Sequence, residues 1–185
     1  MDKFFIAIPT PTLATNGVSL MKAIYAALFL GKEPSVTFSD SSTICAARTA
    51  CLQNIRKLTD KKSERILWLD SDIIIMNEPN ELRDILKEAD DKDYNICGFY
   101  NLRDKRGSIN DFGFKNIDSA AFKKMEQYSK VMFAGLGFYY GYTPIDYQFH
   151  ESFNRGEDFN FYTENNITLR IDKRLVLGHV KAIII

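Results

Sequence analysis

At 185 residues, with 45% apolar and 26% charged content, the chain is long enough for one soluble globular domain with a full core. Twenty-four basic and twenty-four acidic residues cancel, which argues against a nucleic-acid-binding surface. Cys45, Cys51 and Cys97 fit no paired metal-ligand spacing and predict reduced core thiols in an intracellular, cytoplasmic protein. The opening residues lack the features of a signal peptide, and the apolar stretch Ala182 to Ile185 is too short to span a bilayer.

Phe4 to Ile8 is an apolar run stopped by Pro9 and Pro11, which predicts a buried strand leading into a loop. In open α/β sheets ligands bind beyond the carboxyl ends of the strands, so Pro9 and Thr10 are candidate contacts. Ser19 to Leu30 reads as a helix with Leu20, Ala23, Ile24 and Ala27 inward and Gly31 as its stop. Val36 to Phe38 is a second short strand, and Ser39-Asp40-Ser41-Ser42 after it are good helix caps. The next helix, Thr43 to Leu58, carries Ile44, Ala47, Cys51, Ile55 and Leu58 on one face. Arg48 shares that face. It either snorkels at the edge of the stripe or meets a phosphate or a base.

Arg65 to Met76 is an apolar run interrupted by Asp70 and Asp72. Leu69 ends a strand buried on both faces, and two carboxylates at its end require a partner. No Lys or Arg lies between Arg65 and Arg83, so a divalent cation is the simplest one. The plainer alternative is a turn with Asp70 capping a following helix.

Asn77-Glu78-Pro79 opens a helix with Leu82, Ile85, Leu86 and Ala89 inward, and Tyr94 to Tyr100 is another strand. The polar stretch Asn101 to Asp118 predicts a long surface loop, a candidate lid. Asp118 predicts the cap of a short helix reaching Tyr128, and Val131 to Phe133 leads into Ala134-Gly135-Leu136-Gly137-Phe138. The spaced glycines there suggest close backbone approach to a ligand or a strand. Glu157 and Asp158 fall in the first turn of a helix, where acidic residues also suit the helix dipole. Ile167 to Ile171 and Leu175 to Leu177 are strand-like, with His179 at the end of the last; His150 lies in a polar, solvated turn. These elements predict a single α/β domain without repeats or linkers.

Asp70-Ser71-Asp72, Gly156-Glu157-Asp158 and Gly178-His179-Val180-Lys181, in that order, resemble the motifs of GT-A fold glycosyltransferases, closest to the family 2-like group. The resemblance extends to Ile8-Pro9-Thr10, to Gly135-Leu136-Gly137-Phe138 and to Ala46-Ala47-Arg48-Thr49, where Thr49 stands in place of the usual Asn. The compact size resembles small phage or archaeal-virus enzymes, for which the host cytoplasm is the expected location.

The resemblance implies a Rossmann-like, mostly parallel central sheet with a smaller acceptor-side sheet. Residues 1–100 would form the nucleotide-sugar half and residues 101–185 the acceptor and catalytic half. It implies an inverting hexosyltransferase that moves a sugar from a UDP- or GDP-sugar to a glycan, protein or lipid hydroxyl. Asp72 would be the main ligand of Mn²⁺ or Mg²⁺, with Asp70 on the ribose or on the metal through water and His179 closing the metal site. Asp158 would be the general base, paired with Glu157. Pro9, Thr10, Asp40 and Arg48 match the positions that line the nucleoside. Two rivals are a nucleotidyltransferase, disfavoured by the absence of a Gly-rich basic loop after the first strand, and an inactive nucleotide- or glycan-binding module of the same fold.

Overall fold

The computed structural model describes residues 2–10, 16–39, 41–104, 107–111, 116–117, 124–131, 134–153 and 155–179. Asp40, the start of the helix expected from Asp118, and Val180 and Lys181 lie outside them.

Three parallel strands open the chain: β1 (Lys3–Pro9), β2 (Glu33–Ser39) and β3 (Ser63–Leu69). Helices α1 (Gly17–Phe29) and α2 (Ile44–Arg56) connect them. The apolar runs are continuous because the sheet is covered on both faces. Along β1, Phe4, Ile6 and Ile8 enter one core, while Phe5 and Ala7 enter the other. The first core is closed by α1 and by α3 (Pro79–Asp91), the second by α2 and by α4 (Glu157–Glu164).

The helix ends follow their local chemistry. The Asn16 side chain accepts from Ser19 N at 3.0 Å, and Thr43 Oγ1 accepts from Ala46 N at 3.2 Å. Pro79 opens α3, which Glu78 and Glu81 cap reciprocally. Gly31, at φ 70, follows the end of α1.

Seven further strands complete the sheet: β4 (Ile73–Ile75), β5 (Asn95–Asp104), β6 (Gly107–Asp111), β7 (Asn116–Ile117), β8 (Tyr128–Val131), β9 (Phe138–Pro144) and β10 (Leu169–His179). The main order is β2-β1-β3-β9-β5-β10-β4, with β6, β7 and β8 attached off this path. All ten belong to one sheet, so the expected separate acceptor-side sheet is not formed by the described strands. Nor is the sheet mostly parallel: β9 runs antiparallel between β3 and β5. The α/β class holds, with a mixed sheet.

Two expectations for the second half are corrected. The stretch read as a long loop contains a hairpin of β5 and β6, with Asp104 opposite Gly107. Its polar arms carry no alternation that would announce strands. The two strand-like segments near the C-terminus are one strand, β10, whose register against β5 shifts between Ile171 and Val176. Polar residues occupy the bulge, where fully buried Asp172 accepts from Arg174 Nη2 at 2.6 Å.

Candidate active site

The parallel strands β1, β2 and β3 all end at one edge of the sheet. Because β9 is antiparallel, its first residues begin at that same edge, Phe138 pairing with Leu69. The topology thus gathers Pro9, Thr10, Asp70 and the 134–137 segment. Pro9 and Thr10 are buried, and Thr10 N donates to Ser39 O at 3.0 Å.

Asp70 is the first residue of a turn, its carbonyl accepting from Ile73 N at 3.1 Å, and β4 follows. It therefore caps no helix. Its own N–H donates to Gly137 O at 2.9 Å. This bond continues the β3–β9 ladder one residue past the Leu69–Phe138 pair.

Arg48 is the centre of the site. Its side chain, 2% exposed, lies near the rings of Trp68 and Phe149, with centroid distances of 5.7 and 6.0 Å. Nη2 reaches Asp70 Oδ2 at 3.2 Å and Asp158 Oδ1 at 3.8 Å, and Nε reaches Glu157 Oε1 at 3.7 Å. The partner for Asp70 that the local sequence lacked is thus supplied by a helix earlier in the chain. Burial works against the charge on Arg48, but Asp70, Asp158 and Glu157 outweigh it and hold its pKa above the usual value.

The acids respond to the same burial. Asp158 is pushed up to about 7 by burial, which Arg48 opposes and Glu157 reinforces. Its Oδ2 accepts from Leu136 N at 3.1 Å, while buried Oδ1 has no hydrogen-bond partner. Burial also raises the pKa of Asp70, against Arg48 and with the help of Asp72 and Glu157. Three carboxylates, from Asp70, Glu157 and Asp158, surround one guanidinium, and a fourth, Asp72, acts on Asp70.

That excess of negative charge over one buried guanidinium fits a hard divalent cation. Of the expected ligands, Asp70 and Asp72 are described. The β4–β10 register sets the backbone of His179 opposite Ile73, one residue past Asp72; the His179 side chain lies outside the description.

Sequence reasoning missed three participants. Cys45, expected in the core, is only half-buried, and its Sγ lies within 4.8 Å of carboxylate oxygens of Glu151 and Glu157. Glu151 had no local signal at all. The Leu136 N–H could be found only once Asp158 was seen beneath it. Cys51 and Cys97 are buried as expected.

No protein-family model matches the chain, and no curated protein is similar to it. Among solved structures it is similar to A197 from STIV, with a TM-score of 0.58 and 18% identity. The match covers 98% of this chain and 86% of that one. At that identity the likeness concerns the fold. Among the described residues no helix is long and apolar enough to cross a membrane.

Proposed function

We propose that the chain is a GT-A-type glycosyltransferase that moves a sugar from a nucleotide-diphospho-sugar to an acceptor hydroxyl. One observation carries this reading: carboxylates in excess of their single buried guanidinium, gathered where the parallel strands end.

Asp72 and Asp70, with His179, would hold Mn²⁺ or Mg²⁺. When bound, the cation neutralises charge developing on the departing nucleoside diphosphate. Pro9, Thr10 and Asp40, after the first two strands, would line the nucleoside. Asp158 is the base. Its Oδ2 accepts from the Leu136 N–H, which fixes the carboxylate that would take the proton of the acceptor hydroxyl. A pKa near 7 suits that transfer at neutral pH. Burial sets most of that value, with Arg48 lowering it and Glu157 raising it, so these two act on the base as positioning residues.

The test is incubation with a panel of UDP- and GDP-sugars and Mn²⁺, with release of nucleoside diphosphate followed in time. Slow hydrolysis by the wild type, suppressed in Asp158→Asn at unchanged donor affinity, is expected. Donor binding without release from any sugar nucleotide would favour a binding module instead.

A further inference from the structure

Helix α1 is apolar on both sides. Its inner face places Ala23, Ala26 and Ala27 in the core. Its outer face presents Val18, Met21, Tyr25, Leu28 and Phe29, each between 45% and 64% exposed. The spacing of three and four residues makes them one stripe, along which Tyr25 stacks on Phe29. From Gly17 to Gly31 the only charged residue is Lys22, and it turns aside to Glu78 at 3.4 Å. By contrast, α2, α3 and α4 expose no large apolar side chain. The surface continues onto β2, where exposed Phe38 shares a face with Val36, itself packed against the core under α1.

We infer that this face of α1 is the two-fold interface of a homodimer, each copy covering the stripe of the other. A stripe without charge selects no oppositely charged partner, but it is complementary to itself. A two-fold axis near Tyr25 sets Met21 of one copy against Phe29 of the second. Five side chains left about half exposed, out of the roughly 150–250 Å² that a large one offers, leave on the order of 500 Å² of apolar surface per copy. Two copies bury about 1,000 Å², the size at which specific association begins.

A bilayer is the poorer occupant. Helix α3 packs beside α1 and exposes Glu81, Asp84 and Asp91 against Lys87, a flank that anionic lipid repels. The open edge of β2 is not the contact either. Glu33 N donates toward β1, so Pro34, next in line, removes the N–H that would point outward.

Sedimentation velocity of the full chain at about 1 µM and about 100 µM tests this. The wild type is expected to shift from its monomer mass of 21.2 kDa toward twice that value. Tyr25→Lys and Leu28→Glu should stay monomeric throughout, with melting temperatures near wild type, while Asp84→Lys on α3 should still dimerise. A wild type that remains monomeric at the higher concentration overturns the inference, as do α1 variants that dimerise normally. Flotation of a monomeric wild type with phosphatidylcholine–phosphatidylserine vesicles would instead assign the stripe to a membrane surface.

Discussion

Arg48 Nη2 stands 3.1 Å from Oδ1 and 3.2 Å from Oδ2 of Asp70, so one buried guanidinium nitrogen meets both oxygens of the acid that ends the central strand. Breaking a buried pair from one side strands the other charge. Arg48→Met is therefore expected to destabilise the fold by about 3–5 kcal/mol, and Asp70→Asn in the same chain to recover part of the loss. Urea unfolding of the two single variants and the double variant measures this. Equal midpoints for wild type and Arg48→Met would return Arg48 to the role of a ligand contact.

Asp158 should make the protein more stable in mild acid. Its folded pKa, about 7, lies above the value of about 3.9 for an unfolded Asp, so between them the native state binds more protons. Stability from this group is present below about pH 4 and is lost as pH rises through 7. Asp158→Asn removes the cost of the buried charge. It should melt above wild type at pH 8, match it near pH 4, and turn over roughly 10²–10⁴-fold more slowly. Melting curves across pH, with turnover on the same sample, decide it. An unchanged pH profile would mean that Asp158 ionises normally.

Divalent cation should raise the melting temperature, and more so at pH 8 than at pH 6. Burial raises the pKa of Asp70 and of Asp158, so protons compete with metal as the pH falls. At one hundred times the dissociation constant, mass action stabilises the native state by about 2.7 kcal/mol. Asp72→Ala should abolish that gain. Scanning fluorimetry with Mn²⁺ and with chelator checks it, and a gain retained in Asp72→Ala would move the metal elsewhere.

Gly98 marks the place where β5 runs beneath the bulge of β10. A Cβ there would lie 2.7 Å from Leu175 Cγ and 2.9 Å from Leu175 O, and the carbonyl is backbone that cannot swing aside. Gly98→Ala should cost about 1–3 kcal/mol. Gly17→Ala, which meets nothing within 4 Å at the start of α1, is the control and should be neutral or slightly stabilising. Chemical unfolding of both compares them directly.

What could be read from sequence was the conflict between local pattern and local chemistry. Asp70 and Asp72 stood out because carboxylates break an apolar run, and Arg48 because a helical period turned a charge inward. The first strands and helices were legible for the same reason, since continuous apolar runs and capped periods have few alternatives. Strand β9 was not. Its Phe-Tyr-Tyr-Gly-Tyr run shows no alternation, and Gly141 is needed there because the Tyr139 hydroxyl and Asn95 Oδ1 fill the space of a side chain. The pairing of Arg48 with Asp70 was hidden for a simpler reason: the partners come from different elements, and only the closed sheet brings them together.

The position of β9 also sets an order of events for the chain as it folds. β3 and β5 are neighbours in sequence on either side of α3, yet the sheet joins them only through a strand that comes later. Until residues 138–144 have inserted, the sheet remains two pieces, and Asp70 lacks the Gly137 carbonyl that receives its N–H. Such a long-range closure is slow to nucleate, because the loop entropy is lost before the contacts form. Sheet closure therefore completes the site, adding the 134–137 segment to the Arg48–Asp70 pair that the first three strands already hold.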